Sequence, residues 1–567
     1  MNRFVVNKKS NTYADSLEAY GLCNLLHKIL AQLNENDVDI VIRDYYAYYE
    51  ITLTKQEQLY SLTEEQLDGL EYFQLFKFVR QKEDTDVRSI DDFYDYARIK
   101  KDIDAIKKSE KAGQLSKQES ARAQKEKRDE IGPNYYVVQL MAGNYFKNLS
   151  TLFLHFHLNK ENFVNGIKCI LSNYSMDKKQ KLEFPTTKST KVQLYNPSCG
   201  KGSNSNKAMY NNENINSEWI VSTLQISGAQ SDMVCKCIDK DYKISVPAFI
   251  EIKYSAKEKV IDAFYKKNKG GGSIQSDILN ALCLTETLLL HDGLTVNRRK
   301  IRSVVSGLQV AYQKNLGKQN GITNICFIGL PEFITVSSRK ENNSWLKYVQ
   351  EQINVVQNLA EKKHYDGLAL YRDFLSDSSL NNFHAFTFWY ARYSMSQLYK
   401  QKYVQSISKT SLNQLYSNME AKDLNLEEIV KNEGLQAVAD AIRKSTVSLQ
   451  RIEKSKRKYE IRYGLAQKLQ IASNSKEDLA TFVADFAMTY NAETARVYER
   501  DHKDNPEKDS RDSGWIRTPI AKNELESFYQ LLSAYPPKLI GGLLGAYGFA
   551  SNENNKSNNT TSSITNK

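Results

Sequence analysis

The sequence has few of the side chains from which catalytic and metal sites are built. Its seven cysteines fall at 23, 169, 199, 235, 237, 283 and 326, and only Cys235 and Cys237 lie close together. One Cys-x-Cys pair lacks the four recurrently spaced ligands of a structural zinc site. An odd, sparse set in a chain of 567 residues reads as reduced thiols. Histidine is as scarce. His291-Asp292 suggests a metal-binding pair, but His27, His155, His157, His364, His384 and His502 show no spacing that would complete it. His155 and His157, flanked by Phe and Leu, read as strand or core. No Ser-His-Asp or Cys-His arrangement can be nominated. Long apolar runs are missing too. The longest, around Leu539 to Ala550, is short and broken by glycine, and Met1 to Ser10 carries charge where a secretion signal needs an apolar stretch. The expectation is a cytoplasmic protein that binds rather than catalyses, with no cofactor, no metal and no membrane.

What the chain has in quantity is positive charge and tyrosine. A formal net charge of +11 favours an anionic partner, although net charge speaks to association and not to fold. Tyrosine, at 35 residues against 22 Phe and 4 Trp, offers a stacking face with a polar tip, as nucleotide-lined grooves require. AT-rich coding sequence would also raise Tyr, Asn, Lys and Ile together.

Length allows two to four domains. The patterning predicts an α+β protein: a mixed α/β N-terminal and central region followed by an all-α C-terminal helical bundle. Residues 1–95 form an N-terminal α/β segment with a strand near Val38 to Ile42. Residues 96–131 are rich in Lys and Glu with few apolar positions, and read as a solvated helical insertion. Residues 132–343 form a central α/β region, with strands expected at Trp219 to Ile226, Tyr242 to Tyr254, Ser303 to Tyr312 and Asn324 to Ile328. Pro247 marks the second of these as an edge or bulged strand. Ile278 to Leu289 is a buried helix. Residues 344–550 form the bundle: a helix capped by Ser344, then helices over 381–404, 408–420, 431–472, 476–499 and 522–546. Residues 551–567, all polar and without periodicity, are expected to be a disordered tail.

Three features suit an anionic ligand. Gly200 to Lys207 is a Gly- and Asn-rich loop. Its backbone N–H groups can approach phosphate, Lys201 and Lys207 supply charge, and Asn204 and Asn206 can reach sugars or base edges. It is no P-loop, since Gly202 follows Lys201 where that motif needs Ser or Thr; an ordinary surface loop fits the same composition. Lys266, Lys267 and Lys269 precede three glycines, as in a mobile basic loop lying against a duplex, or in a plain connector. The third is a helix predicted over 437–470. It sets Arg451, Lys454, Lys458 and Arg462 on one face, with Ile442, Leu449, Ile452, Tyr459 and Tyr463 on another. Against these stands one enzymatic layout. Asp232 with Glu251-Ile252-Lys253 resembles the Asp…Glu-x-Lys arrangement of Mg²⁺-dependent nucleases, although Glu-x-Lys is frequent in Lys-rich chains.

Taken in order, the motifs resemble a known family. Asn196-Pro197…Gly200-Lys201-Gly202…Asn206-Lys207-Ala208, then Trp219 and Gly228, are similar to the central region of the large subunit of type I CRISPR effector (Cascade) complexes, Myxan-type branch. The resemblance continues through Leu435-Gln436-Ala437-Val438-Ala439, Ala441-Ile442-Arg443…Thr446-Val447, and Tyr459 to Gln467. It ends with Tyr490-Asn491-Ala492-Glu493 and Leu543 to Gly548. It spans about residues 134–548. It implies a non-enzymatic subunit that inspects the protospacer-adjacent motif in duplex DNA, aids R-loop formation, and holds the displaced strand with a small-subunit-like C-terminal bundle. The guide RNA would read most of the target by base pairing. The implied partners are guide CRISPR RNA, target duplex and displaced strand, and the backbone, guide-end cap and small subunits. A helicase-nuclease or transposition targeting proteins would join them. On this reading Lys201, Asn204, Asn206 and Lys207 face the duplex, with Lys266, Lys267 and Lys269 as a second contact. Arg443, Arg451, Lys454, Lys458 and Arg462 serve the displaced strand, unless Arg443 and Arg462 instead hold the bundle together through buried ion pairs. A purely structural nucleoprotein scaffold is a further alternative. Met419 is one internal start from which the bundle could also be made as a separate small subunit.

Overall fold

The computed structural model describes residues 2–35, 37–55, 59, 62–73, 76, 95–130, 135–144, 150–176, 190–191, 216–217, 219–238, 241–291, 299–315, 320–336, 338–419, 424–504 and 517–552. They form two compact units: Met1–Gly293 with Ile301–Leu330, and Leu294–Lys300 with Pro331–Lys567.

The first unit opens with β1 (Arg3–Asn7), α1 (Tyr13–Gln32), β2 (Ile40–Tyr45) and β3 (Tyr48–Leu53). Five helices follow: α2 (Tyr96–Lys111), α3 (Lys117–Asp129), α4 (Tyr135–Asn144), α5 (Ser150–Leu158) and α6 (Lys160–Tyr174). Next come the short β4 (Thr190–Lys191) and β5 (Asn216–Ser217), α7 (Trp219–Asp232), β6 (Val234–Ile238), β7 (Asp241–Phe249) and β8 (Glu251–Lys253). After α8 (Tyr254–Lys267) and α9 (Ile274–Leu290), β9 (Arg299–Lys300) belongs to the second unit. The first closes with α10 (Ile301–Val304), β10 (Val305–Asn315) and β11 (Asn320–Gly329). Two antiparallel four-stranded sheets result, in the orders β1-β3-β2-β8 and β11-β10-β7-β6. Ile250, between β7 and β8, joins them: its N–H donates to Val304 O and its carbonyl accepts from Asp44 N–H, both at 2.8 Å.

Helix α1 packs against strands of both sheets and is buried on nearly every side. Its polar residues therefore need partners. Ser16 Oγ meets Tyr49 OH at 2.8 Å, Glu18 accepts from Tyr174 OH at 2.7 Å, and Tyr20 OH donates to Pro247 O at 2.8 Å and accepts from Phe249 N–H at 3.2 Å. Pro247 is thus tolerated in a strand with neighbours on both sides. The β6 pairing ends at Ser245, so no strand there requires the missing N–H, and Tyr20 occupies the position instead.

Trp219 to Ile226 is helix, not the expected strand. The β-branched residues that favour a strand are overridden by packing along α1. That packing is very close. A Cβ on Gly21 would lie 1.9 Å from Leu224 O, and one on Gly228 would lie 2.0 Å from Leu17 O. Gly21→Ala and Gly228→Ala should each lower stability by about 1–3 kcal/mol or more through overpacking, read as a drop in urea midpoint. His155 and His157 lie exposed on helix α5, in neither strand nor core. The 96–131 insertion is a helical hairpin, α2 and α3, in which Tyr96, Ile99 and Ile103 are the buried apolar residues.

Among its described residues the second unit is helical apart from a ribbon of β9 and β12 (Thr335–Val336). Its helices begin α11 (Arg339–Gln357), α12 (Glu361–Ser376), α13 (Leu380–Tyr399), α14 (Lys409–Tyr416), α15 (Leu426–Lys431) and α16 (Glu433–Lys444). They continue with α17 (Leu465–Ala472), α18 (Lys476–Asp504), α19 (Lys522–Ala534) and α20 (Pro537–Gly548). The cap of α11 is Ser338 rather than Ser344, accepting from Glu341 N–H at 3.3 Å. The helix expected over 522–546 is split at Pro536 and Pro537, which start α20. The glycine-broken run from Leu539 is this buried helix, packed between α13 and α16. Two residues of the expected tail are ordered: Ser551 N–H donates to Ile407 O at 2.8 Å, and Asn552 accepts from Arg443. Residues 553–567 lie outside the described residues.

Candidate nucleic-acid interface

Lys201, Asn204, Asn206 and Lys207 lie outside the described residues. The glycine loop between α8 and α9 is described, and hydrogen bonds tie it to α9. The Asn280 side chain accepts from Lys269 N–H at 2.6 Å and donates to Lys269 O at 3.1 Å. Ser276 Oγ donates to Gly271 O at 2.9 Å, while Ser273 caps α9. Gly270 is pressed against Ile238, and Gly271 takes φ +88°, which favours glycine. Beneath the loop, buried Lys243 pairs with Asp277 at 2.6 Å and reaches Ser276 Oγ at 2.7 Å. Lys266, at the end of α8, and Lys269, in the loop, are exposed to solvent. Lys267 is drawn back onto Glu286 at 2.7 Å. Beside the loop on β6, Lys236 lies 3.8 Å from the centre of the Tyr265 ring, and burial lowers its pKa.

The basic face predicted over 437–470 does not exist as one helix. α16 stops at Lys444, two 3₁₀ turns follow (Val447–Arg451 and Lys454–Lys456), and helix resumes at Leu465. Thr446 Oγ1 bonds back to Ile442 O at 2.8 Å, the competition with helix that Ser and Thr offer. The carbonyls freed at the end of α16 are capped from elsewhere. Arg517 donates to Lys444 O at 3.0 Å, and Arg462 N–H donates to Ser445 O at 3.1 Å. Leu449 and Tyr459 are still buried, in a small cluster with Val497, against which Ile452 and Ile461 pack. Ile442, Leu449 and Tyr459 are buried and Ile452 partly so, as expected, but Tyr463 is 40% exposed and the helix joining them is absent.

The cations divide accordingly. Arg443 is 3% exposed and bonds Asp440 and Asn552. Burial works to raise the Asp440 carboxyl, but Lys409, Arg443 and Lys444 together hold it below its usual range. Arg462 and Arg517 share Glu493, at 2.9 and 3.1 Å. Arg517 stacks 3.8 Å from the Tyr459 ring centre, and burial lowers its pKa. Arg443 is thus paired within its own helix and tied to the chain beyond α20 through Asn552, while Arg462 ties the segment before α17 to α18 through Glu493. Lys454 is exposed and Lys458 half-buried; the side chain of Arg451 lies outside the described residues. Sequence reasoning missed Arg517 and Asp440, which no local motif sets apart.

The nuclease-like residues have separate partners. Asp232 is buried against Lys257 and Asn24, Glu251 pairs with Arg43 at 3.3 Å, and Lys253 pairs with Asp39 at 2.6 Å. Among the described residues no three or more His, Cys, Asp or Glu side chains are grouped to hold a metal ion, and no helix is long and apolar enough to cross a membrane. The sequence matches no protein-family model and no curated protein.

Proposed function

We propose that this chain is the non-catalytic large subunit of a type I RNA-guided CRISPR surveillance complex. In this role it inspects the protospacer-adjacent motif in duplex DNA, aids R-loop formation and keeps hold of the displaced strand. The observation that carries the reading is the ordered succession of motifs from Asn196 through Leu543 to Gly548. An α+β unit followed by a helical unit, and a net charge of +11, are in keeping with it. Lys201, Asn204, Asn206 and Lys207 are assigned to the duplex, with exposed Lys266 and Lys269 as a second phosphate contact. Arg451, Lys454 and Lys458 are assigned to the displaced strand. Arg443 and Arg462 leave that set, because their charges are spent inside the bundle.

The test is purification of tagged protein with the products of its neighbouring genes, sequencing of bound RNA, and binding to guide-matched duplex. One short repeat-flanked RNA and binding that depends on a flanking motif are expected. Absence of any guide RNA or companion subunit overturns the reading. Within such a complex, Lys201→Ala with Lys207→Ala should weaken duplex binding and flatten its salt dependence by about 0.9 in log–log slope for each phosphate no longer neutralised. A scaffold role predicts no change in either.

A further inference from the structure

The C-terminal end of α13 carries the sequence Tyr399-Lys400-Gln401-Lys402-Tyr403, which neither the motifs nor the assignments above use. The chain leaves the helix through paired backbone bonds, Lys402 N–H to Gln397 O and Gln401 N–H to Leu398 O, both at 2.9 Å. This is the Schellman pattern, whose left-handed residue is usually glycine. Here it is Gln401, at φ +56°. The turn projects its neighbours into water: Tyr399 is 71% exposed and Tyr403 74%, and Lys400 and Lys402 are exposed beside them. A helix C-terminus favours cations, which accounts for the lysines. It does not account for two tyrosine rings held in solvent.

The rings sit on fixed supports. Tyr399 meets Tyr463 edge-on at 5.4 Å, and Tyr463 is itself 40% exposed in the segment that carries Lys454 and Lys458. Val404, directly after Tyr403, is buried, and Tyr390 OH bonds Gln405 O, so the chain is fastened where it leaves the turn. Burial, then Lys363 and Lys400, lower the His364 pKa, which sets both ammonium groups around the same end of the α12–α13 hairpin. Among the described residues no carboxylate forms an ion pair with Lys400 or Lys402.

The geometry points to a stacking platform for single-stranded nucleic acid, in which Tyr399, Tyr403 and Tyr463 take bases and Lys400 and Lys402 take phosphates. The inference deepens the single-strand role proposed above and rests on that reading for its place in a complex. Aromatic faces accept any base, so the platform holds a strand without reading it. A duplex keeps its bases stacked on one another and offers such rings nothing.

The experiment is fluorescence anisotropy with the full chain and labelled oligothymidylate or oligouridylate of at least about 16 nucleotides. Tyr399→Ala with Tyr403→Ala should lower affinity about tenfold or more, while Tyr399→Phe with Tyr403→Phe binds like the parent. Lys400→Ala with Lys402→Ala should reduce the salt slope by about 0.7 for each lysine. Thermal unfolding should not change, since none of the four side chains is buried. Tighter binding of the DNA strand identifies the displaced strand as the ligand, and tighter binding of the RNA identifies the guide. Equal binding of the parent and the double alanine variant overturns the platform, as does a parent that binds neither strand or binds a duplex equally well. Because the assay needs no guide or companion subunit, the platform can fail while guide RNA still co-purifies, and it can hold when none does.

Discussion

Asp232→Ala should destabilise the first unit by about 3–5 kcal/mol, and a loss of that size belongs to structure and not to chemistry. Asp232 and Lys257 are both essentially without solvent exposure and bond each other directly. Asn24 Nδ2 adds a contact to Asp232 at 3.4 Å. Burial pushes the Asp232 carboxyl up, against the lowering pull of Lys257. Removing the carboxylate leaves an ammonium group enclosed by the Tyr20 and Tyr254 rings, whose centres lie 5.6 and 4.7 Å away. Removing both charges is different, because a buried ion pair costs desolvation that an apolar pair does not. Asp232→Leu with Lys257→Met should therefore recover most of the stability. Urea titration followed by far-ultraviolet circular dichroism reads both variants. If Asp232 were instead a metal ligand in an open site, its alanine variant would keep its midpoint and the double variant would gain nothing.

Glu18 and His384 should contribute to the pH dependence of their units in opposite directions. In the first, burial raises the Glu18 carboxyl to about 7, despite the bond from Tyr174 OH and the nearby Lys9. Its unfolded value is about 4.3, so the fold prefers the protonated acid. That contribution is complete below about 4.3, shrinks as pH rises and is gone above about 7. In the second unit, burial lowers His384 to about 4, with Nε2 at 3.1 Å from Tyr416 OH and Gly542 directly behind the ring. Its unfolded value is about 6.5, so the fold prefers the neutral ring. That contribution is complete above about 6.5 and is lost as pH falls through about 4. Between about pH 7.5 and 5, hydrogen exchange should show peptides of the second unit losing protection, and those of the first gaining more protection in the parent than in Glu18→Gln, with His27, whose pKa burial lowers, opposing Glu18 in both. Glu18→Gln should stabilise the first unit by up to roughly 3 kcal/mol above pH 7 and flatten its slope; an unchanged slope would contradict the assignment.

The division into an α+β part and a helical part could be read from periodicity, because apolar spacing survives whatever the local backbone does. In the second unit α13, α14 and α18 begin and end near their expected positions for that reason, while α12 and α15 were not expected. The misreadings have distinct physical origins. Trp219 to Ile226 carries strand-forming residues, but a neighbouring helix accommodates it only as helix, through glycines whose purpose shows only in the packing. The 437–470 segment keeps most of its buried apolar residues yet bends, because the Thr446 hydroxyl competes for a backbone carbonyl and Arg517, 73 residues beyond Lys444, caps the end of α16. The site was harder still. Basic residues look alike in a sequence whether they face an acid or water, so Arg443 and Lys454 could not be told apart until Asp440 was seen beside one of them. The tyrosine–lysine alternation at 399–403 was visible all along, but without its exposure it was only composition.

α20 is clasped between α13 and α16, and its glycines admit side chains from both: His384 and Phe388 on one flank, Ile442 on the other. A polypeptide started at Met419 would keep α16 and discard α13. Its helix α20 would then present a grooved, greasy flank, shaped for two aromatic rings that it no longer owns. A shortened product of that kind would survive only as a client of something that restores those rings: another copy of itself, a companion subunit, or a chaperone.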